Sequence, residues 1–550
     1  MRIISTFLFC FIMFTAILTP QTKKAFTNGR IFTLNEKQPF AEAVVVEGNK
    51  IVFVGFGIDM MKHIDGKTEI IDLKGKLMLP GFIDNHVHFT SGGFYLLGID
   101  LRPAKSVEEF KNILKDYVKT HKGKWITGGN WDHEAWEIKD LPTKEMIDDF
   151  TKDTPVFVER FDGHMGLANS YALKLAGITK DTESPEGGLI VKDPVTGEPT
   201  GILKDNAMSL IYKVIPPPSD EEVYQAALKA LEEAKRFGVT SVHDMTSPQD
   251  LKIYKRLEEE GKLTCRIYTR YPINKYEDLI DMNITANSGT EKIKLGSLKA
   301  FADGSLGSMT AWFFSAYDQD TTTAGLPMDI VLNGDLEDWA FDADEHHLQL
   351  STHAIGDAAN AYMLDLYKRI KEDNDEWDRR FRIEHAQHVR FEDIPKFREI
   401  GVIASVQPYH CIDDGVWAEK RIGNRIKYTY PFAAFLDFGV KLCFGTDWPV
   451  APLNPLLGIY AAVTRRTLDG KNPDGWIPEQ KISVWDAIKC YTINSAYAAD
   501  EEDIKGSIEV GKLADMVVLS DDILKIDPDK IKDVTIEMTI FDGKVIYRKE

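Results

Sequence analysis

Short apolar runs alternate with longer amphipathic stretches through the middle of the chain. Polar or turn-forming residues bound each run, as expected of strands buried on both faces of a parallel sheet. Eight such runs lie at 80–89, 238–244, 265–269, 293–301, 348–353, 381–385, 402–406 and 440–447. Eight strands alternating with helices predict an α/β fold, a (β/α)8 TIM-type barrel whose chemistry lies at the carboxyl ends of the strands.

The stretch 90–218 separates the first predicted strand from the second. It is much too long for a single crossover, so we expect a large insertion over the mouth of the barrel. The helix leading into the second strand is predicted to begin at Ser219, because Ser219-Asp-Glu-Glu222 has the pattern of a capping box. The predicted barrel spans 81–495 and contains this insertion.

Both ends of the chain carry short strands and turns instead. This pattern covers 23–80 before the barrel and 496–550 after it. Because the termini of a domain usually lie close together, the two segments predict one small β-sandwich domain with the barrel inserted in it.

The first 22 residues form a distinct segment. Arg2 precedes an apolar run from Ile3 to Leu18, and polar residues follow the run. This order is typical of a signal peptide, so we expect 1–22 to be removed from an exported protein, periplasmic or extracellular. The alternative is an uncleaved membrane anchor, because the run has nearly the length of a spanning helix and lacks a clear small-residue cleavage site. A membrane partner is expected only in that second case.

Composition narrows the functional classes. A chain of 550 residues with 43% hydrophobic residues can bury one large core and a smaller one. The formal charge of −20, with no cluster of basic residues, argues against nucleic-acid binding. The cysteines beyond the first segment are far apart in mostly apolar contexts, which predicts reduced core thiols at Cys265, Cys411, Cys443 and Cys490. A homodimer is left open.

Two histidines mark the first predicted strand. His86 and His88 are one residue apart near its carboxyl end. Side chains alternate across a strand, so both rings point the same way, roughly 6–7 Å apart, and can bind one metal ion. The pair alone is a weak signal, and it predicts a site only if other ligands fall where a barrel would place them.

Further polar residues do fall at the ends of the other predicted strands. Lys299 ends the fourth strand, His353 the fifth, His385 the sixth and Asp447 the eighth. This mixture of nitrogen and oxygen ligands suits Zn²⁺, although Mn²⁺, Ni²⁺ or Fe²⁺ can occupy such a site. Any one of these histidines is equally well explained as a hydrogen-bonded core residue, but their order along a barrel favours metal binding.

Five motifs carry a family resemblance: GFIDNHVH at 81–88, KAFADGSLGS at 299–308, THAIGD at 352–357, RIEHAQ at 382–387 and GTDWP at 445–449. In these segments the chain resembles the amidohydrolase superfamily of metal-dependent barrels. It is most similar to the family-3 branch, which includes N-substituted formamide deformylase. The resemblance extends over essentially everything beyond the signal segment.

The resemblance implies two zinc ions, one held by His86, His88 and Asp447 and the other by His353 and His385. Lys299 would bridge the two ions. Burial lowers the pKa of a lysine, and the neutral amine can take up CO2 to form a carbamate with two oxygens. The alternative is a salt bridge from Lys299 to Asp303, in which case one metal ion can suffice.

The implied chemistry is hydrolysis by a metal-activated hydroxide. Metal-bound water has a pKa near ~7, and Asp447 would act as the general base that passes its proton to the leaving nitrogen. We therefore expect a metal-dependent hydrolase that cleaves a C–N bond of a small amide or N-substituted formamide.

The substrate-binding residues are less well defined. His164 lies in a segment that also resembles the branch, and it is expected to hydrogen-bond the oxyanion during catalysis. Other candidates are polar or aromatic residues of the insertion and of the seventh strand end: Trp131, His133, Arg160, Phe161, Gln407 and His410. Aromatic residues at such positions are more often core than ligand contacts, and the seventh-strand pair can equally orient metal ligands.

Two alternatives to amide hydrolysis remain open. Deamination, or lactam or ester hydrolysis, can use the same site, because one fold hosts many chemistries. A secreted non-catalytic binding protein with a structural metal is the second alternative. It is less favoured, because a structural zinc site is closed by four ligands and needs no base.

Overall fold

The computed structural model describes residues 23–137, 139–160, 164–185 and 187–550. The predicted signal peptide 1–22 and the candidate Phe161 lie outside these ranges, so export stays a prediction. Within the ranges, no helix is both long and apolar enough to cross a membrane.

The N-terminal part consists of short strands joined by turns. The strands are β1 (Lys23–Thr27), β2 (Arg30–Phe32), β3 (Phe40–Ala41), β4 (Ala43–Glu47), β5 (Lys50–Gly55), β6 (Glu69–Asp72) and β7 (Leu77–Pro80), with helix α1 (Gly57–Met60) after β5. Strand β4 is a continuous apolar run, and its alternate residues pack into two different cores, so it is buried on both faces.

The first barrel strand and its helix precede the insertion, which forms a sheet of its own. The barrel elements are β8 (Phe82–Val87) and α2 (Phe89–Leu97). The insertion contains β9 (Ile99–Asp100), α3 (Val107–Thr120), β10 (Ile126–Trp131), α4 (Glu145–Asp148), β11 (Val156–Arg160), β12 (Met165–Ala168), α5 (Ser170–Leu175), β13 (Gly188–Lys192), β14 (Pro199–Asp205) and α6 (Ser209–Tyr212). Its strands are ordered β13-β14-β12-β11-β10-β9.

The remaining barrel strands confirm the predicted fold class. They are β15 (Val239–Met245), β16 (Arg266–Pro272), β18 (Ile293–Phe301), β19 (Gln349–Ala354), β20 (Arg382–His385), β21 (Ile403–Val406) and β22 (Leu442–Phe444); β17 (Ser288–Gly289) pairs antiparallel with β18. In the described part of the chain, eight parallel strands are ordered β22-β21-β20-β19-β18-β16-β15-β8. Each of them overlaps one of the predicted apolar runs.

Helices surround the barrel and continue to its last strand and beyond: α7 (Asp220–Arg236), α8 (Pro248–Glu259), α9 (Tyr276–Asp281), α10 (Asp329–Leu332), α11 (Asp335–Glu345), α12 (Asp357–Asp373), α13 (Ile394–Ile400), α14 (Pro408–Asp414), α15 (Ala418–Ile422), α16 (Phe432–Asp437), α17 (Pro455–Thr464), α18 (Val484–Cys490) and α19 (Ile493–Ala498). The capping box predicted at the start of α7 is confirmed. The Ser219 hydroxyl accepts from the Glu222 amide at 3.3 Å, and the Glu222 carboxylate accepts from the Ser219 amide at 2.9 Å.

Strands from both ends of the chain build one sandwich. The C-terminal strands β23 (Met516–Leu519), β24 (Ile536–Phe541) and β25 (Lys544–Arg548) join β7, β2 and β3 in one sheet. The second sheet is ordered β5-β4-β1-β6. Apolar residues of both ends, including Phe26, Val44 and Met516, share one core. The exact domain boundaries given above stay predictions.

The predicted reduced thiols are confirmed for the described cysteines. Cys265, Cys411, Cys443 and Cys490 are buried and free. These four cysteines form no disulfide bonds, so the described part of the fold is stabilised by packing and hydrogen bonding, as expected for a chain with a core of this size.

A buried ion pair joins the barrel to the sandwich. Arg266, at the start of β16, donates to both carboxylate oxygens of Asp515, at 2.6 and 3.1 Å. It also donates to Asp542 at 3.2 Å. Arg266 and Asp515 are almost fully buried, so each charge depends on the other for compensation.

Replacement of Asp515 tests this joint. Asp515→Ala leaves the Arg266 guanidinium buried with Asp542 as its remaining acidic partner, and we expect a loss of about 3–5 kcal/mol in stability. The measurement is the thermal midpoint, compared with Asp59→Ala, which removes an exposed partner of Lys62 and is expected to cost at most about 1 kcal/mol. Equal midpoints for the two variants would show that the pair does not hold the domains together.

Candidate active site

The ends of the first and last barrel strands are joined by backbone hydrogen bonds. The Asp447 amide donates to the His86 carbonyl at 2.7 Å, and the His88 amide donates to the Trp448 carbonyl at 2.8 Å. Val87 and Trp448 form a parallel bridge at the same place. The residues that close the barrel therefore include three of the predicted metal ligands, His86, His88 and Asp447.

This closure brings together three of the predicted ligands. Nε2 of His86 lies 3.5 Å from Oδ1 of Asp447, and Nε2 of His88 lies 3.4 Å from the same oxygen. The candidate donor atoms of the three residues all lie within 4.8 Å of one another. His86 Nε2 and Asp447 Oδ1 are buried and have no hydrogen-bond partner among the described residues. A divalent cation would satisfy both atoms.

The other predicted ligands lie on the neighbouring strands. The His385 ring is centred 4.8 Å from the His86 ring and 4.4 Å from the His353 ring. Nε2 of His353 is 3.0 Å from the Gly304 carbonyl, so this nitrogen carries the proton and Nδ1 has the free lone pair. Lys299 is buried in β18, and its Nζ lies 3.7 Å from the centre of the Phe301 ring.

Burial keeps these side chains in the form that binds metal. It lowers the pKa of His86 to about 4 and the pKa of His353 to about 3, so both rings are neutral near pH 7. Burial likewise lowers the pKa of Lys299 to about 8. Burial alone would raise the pKa of Asp447, but the facing His86, His88 and His385 hold it below its ordinary value. Neutral imidazoles and an ionised carboxylate are the forms that a metal site requires.

Glu384 is a functional residue that the sequence analysis missed. It is fully buried at the end of β20, and its Oε2 accepts from His86 Nδ1 at 2.5 Å. The hydroxyls of Ser351 and Ser405 donate to it at 2.7 and 2.6 Å, and Arg270 Nη1 lies 2.7 Å away. Burial opposes ionisation of Glu384, but Arg270 and His86 hold its pKa well below the ordinary value. The carboxylate therefore keeps the proton of His86 on Nδ1 and leaves Nε2 free.

Asp303 has a role different from the proposed salt bridge. Its carboxylate accepts from the backbone amides of Trp312, Ile355 and Gly356 at 2.8–2.9 Å. It thereby joins the loop after β18 to the loop after β19. Among the described residues, Lys299 has no ion-pair partner, so the alternative of a Lys299–Asp303 salt bridge is not found.

The seventh strand contributes two side chains to the site. Oε1 of Gln407 accepts from His385 Nδ1 at 2.7 Å, which leaves Nε2 of His385 as the free nitrogen. His410, in the first turn of α14, lies with His385 and Asp447 in a second group of donor atoms within 4.8 Å of one another. The sequence analysis left both residues as candidates either for substrate binding or for orienting metal ligands, and the contact of Gln407 with His385 matches the second alternative.

The described candidates of the insertion lie close together, since Arg160 pairs with Trp131 across β10 and β11 and the rings of Trp131 and His133 are 5.8 Å apart. Trp131 is fully buried in the core of the insertion and donates to the Val158 carbonyl at 2.8 Å, as the packing alternative describes. His133 is also buried, beside the Trp131 ring. Arg160 lies 3.5 Å from Asp132. Their roles in substrate binding stay predictions.

His164 lies on the surface of the insertion. It precedes β12, its side chain is 68% exposed, and its Nδ1 is 2.9 Å from Oδ1 of Asp205. Asp205 is the last residue of β14, so the pair connects the start of β12 to the end of its neighbour β14. The predicted contact of His164 with the oxyanion stays a prediction.

The residues present fit a divalent metal. The donor set consists of neutral imidazoles and one carboxylate, which suits zinc and the later first-row metals. Two of its buried atoms, His86 Nε2 and Asp447 Oδ1, have no hydrogen-bond partner among the residues that the structure describes. The donor set is at the carboxyl ends of the strands, where barrel enzymes carry their active sites.

Comparison with known proteins agrees with this geometry. A sequence model described as the amidohydrolase family matches residues 69–547. Protein LONG AFTER FAR-RED 3 of Arabidopsis thaliana is 38% identical, over 90% of this chain and 86% of its own length. The putative amidohydrolase YtcJ of Bacillus subtilis is 32% identical, over 96% of this chain and 100% of its own.

Two further similarities concern activity and fold. N-substituted formamide deformylase of Arthrobacter pascens is 25% identical, over 95% of this chain and 98% of its own length. The crystal structure of an uncharacterized metal-dependent hydrolase of Pyrococcus horikoshii matches with a TM-score of 0.78 and 29% identity, over 92% of this chain and 99% of that one.

The role of Glu384 can be tested through metal affinity. Glu384→Gln keeps the volume but removes the charge that orients His86, and we expect metal affinity to fall roughly 10- to 100-fold. The measurement is a competition titration with a chelator. Asp344→Asn is the matched control, because Asp344 is a buried acid paired with Arg379. Unchanged affinity in the Glu384 variant would contradict this role.

Proposed function

Since the chain belongs to the amidohydrolase family and is a metal-dependent hydrolase, we propose that it cleaves the C–N bond of a small amide or N-substituted formamide. The observation that carries the proposal is the placement of Asp447. Its Oδ1 lies 3.5 Å from Nε2 of His86 and 3.4 Å from Nε2 of His88 and has no hydrogen-bond partner in the described part of the chain. An ionised carboxylate held there can accept and return a proton.

The proposed metal is zinc, in two positions. His86, His88 and Asp447 would hold one ion, His353 and His385 the other, and a carbamate on Lys299 would bridge them. When bound, the metal supplies Lewis acidity that polarises a carbonyl and makes a water acidic near neutral pH. The donor types support zinc, but Mn²⁺, Ni²⁺ and Fe²⁺ prefer similar ligands.

Asp447 would perform the proton transfers. In its ionised form it takes a proton from the attacking water, and it then gives that proton to the nitrogen that leaves when the C–N bond breaks. The Asp447 backbone is fixed by the hydrogen bond to the His86 carbonyl, so its carboxylate stays aligned with the ligands. The products would be an acid and an amine.

The state of Lys299 supports the carbamate. The side chain is buried, and no described acid forms an ion pair with it. A lysine in such surroundings is neutral in a larger fraction of molecules, and the neutral amine is the form that reacts with CO2. The carbamate would add two oxygens to the end of the Lys299 side chain.

The similarity to N-substituted formamide deformylase supports a formamide or amide substrate. That relative matches nearly the whole chain, insertion included. Phe301, at the end of β18, is 40% exposed, and its ring lies 5.3 Å from the His353 ring. An exposed aromatic beside the ligands suits the apolar substituent of such a substrate.

Removal of the proposed base gives a direct test. Asp447→Asn keeps the shape of the side chain but cannot accept the proton, and we expect turnover to fall at least ~100-fold while the fold is retained. The measurement is kcat on a panel of amides, formamides, lactams and esters, with circular dichroism as the check of folding. The exposed Asp437→Asn serves as the control. Retained activity in the Asp447 variant would contradict the assignment of the base.

Metal content and intact mass test the proposed centre. We expect about two metal equivalents by plasma mass spectrometry, and an added mass of about 44 Da from CO2 that is lost in Lys299→Met. The chelator-treated protein should lose turnover and regain it with zinc. Wild-type protein that binds no metal under any reconstitution would contradict the proposed function.

A further inference from the structure

We propose that His410 is a ligand of the metal centre and, beside His385 and Asp447, adds the seventh strand to the position of the second ion. The inference rests on the proposed function, because it concerns the same metal centre. It assigns to His410 a direct contact with metal, whereas the sequence predicted either a contact with substrate or a role in orienting a metal ligand.

The donor atoms of His410, His385 and Asp447 lie close enough together to bind one ion. One ring nitrogen of His410 lies within 4.8 Å of donor atoms of both His385 and Asp447. Those two donor atoms are also within 4.8 Å of each other. Zinc-to-nitrogen and zinc-to-oxygen bonds are about 2.0–2.2 Å long, so three donors at this spacing can reach one ion with small side-chain movements.

The His410 ring also has a buried nitrogen whose hydrogen-bonding capacity is unsatisfied in the described structure. Nε2 of His410 is buried and has no hydrogen-bond partner among the described residues. If that nitrogen carried a proton, the N–H would lack an acceptor, and if it did not, the lone pair would lack a donor. Both states cost free energy in a buried site, whereas a bound cation satisfies the lone pair.

The hydrogen bond of His385 fixes which of its ring nitrogens carries the proton. Its Nδ1 donates to Gln407, so Nε2 carries a lone pair that no proton occupies. Gln407 immediately precedes α14 (Pro408–Asp414), and His410 lies in the first turn of that helix. One short segment therefore both orients the lone pair of His385 and adds a second imidazole beside it. Two facing lone pairs and a carboxylate favour a cation between them.

Comparison with two other buried histidines shows what distinguishes His410. His388 also has an unpartnered Nε2, but it belongs to neither donor group in the described structure, and its Nδ1 is 2.8 Å from the Thr429 hydroxyl. His353 is a predicted ligand, yet it also lies outside both groups. Its Nε2 is engaged by Gly304. Only His410 among these three combines an orphaned nitrogen with two neighbouring donors.

Asp447 belongs to both donor groups. A carboxylate has two oxygens, and Oδ1 faces His86 and His88. His86 and His88 share Asp447 with the first ion, so its other oxygen stays available for proton transfer. His410 would then join His353 and His385 around the second ion and add a ligand from the seventh strand.

Cysteine substitution with cobalt tests the assignment. In His410→Cys loaded with Co²⁺, a ligating thiolate should give a new thiolate-to-cobalt charge-transfer band in the near ultraviolet. His388→Cys is the matched control, because it places a thiol at another buried histidine nearby, and it should give the spectrum of the wild type. The wild type also corrects for the native thiols, including Cys411.

The outcomes separate this inference from the proposed function. A new band in His410→Cys alone supports the ligand role. Wild-type protein that binds Co²⁺ and hydrolyses amides, with no new band in His410→Cys, overturns the role of His410 and leaves the proposed function standing. Wild-type protein that binds no Co²⁺ and no zinc overturns both.

Two further measurements cover a cysteine variant that does not fold. In His410→Gln, we expect the affinity for one metal equivalent to fall more than the roughly 10- to 100-fold that loss of an outer hydrogen-bond partner costs. A smaller loss overturns the role. In crystals of the zinc-loaded wild type, a His410 nitrogen within about 2.2 Å of an anomalous peak supports it, and a distance beyond about 3 Å overturns it.

Discussion

The negative charge of Glu384 is the constraint on which the site depends. A buried carboxylate is costly unless other groups compensate it, and here the compensation comes from four other barrel strands. His86 donates from the first strand, Arg270 from the third, Ser351 from the fifth and Ser405 from the seventh. Because each donor must reach the same two oxygens, the strands that carry them cannot shift independently. The register of the barrel and the orientation of the first ligand are therefore fixed by one group.

His86 lies between two carboxylates. Nδ1 faces Glu384 at 2.5 Å, and Nε2 faces Asp447 at 3.5 Å. Despite these two anions the ring is neutral near pH 7, because burial lowers its pKa to about 4. The proton stays on the side of Glu384, so the face toward Asp447 presents a lone pair. A metal ion held at this face by His86 and Asp447 would compensate the charge of Asp447. The backbone hydrogen bond from Asp447 to the His86 carbonyl closes the barrel at the same place.

The sequence predicted the barrel well, because its strands are continuous apolar runs whose ends carry distinctive polar residues such as His385 and Asp447. It did not identify Glu384, because this acid lies one residue before His385 inside a strand, and a single buried acid has no pattern of its own. Arg270 was missed for a related reason, and for His410 the sequence left open whether it contacts the substrate or orients a ligand. Their roles follow from which strands become neighbours, and only the folded chain shows this. Trp131 shows the converse, since a residue with suitable chemistry packs in a core.

The site has a fixed layer and an accessible layer. His86 and Glu384 are fully buried, whereas the side chain of His88 is 37% exposed and Phe301 is 40% exposed. A change in the buried layer disturbs a shared charge network, so its effects extend across several strands. A change in the accessible layer alters only what the substrate meets. A division of this kind would let the choice of substrate change at the rim while the buried layer keeps its charge network, which is one way in which a single barrel can serve many reactions.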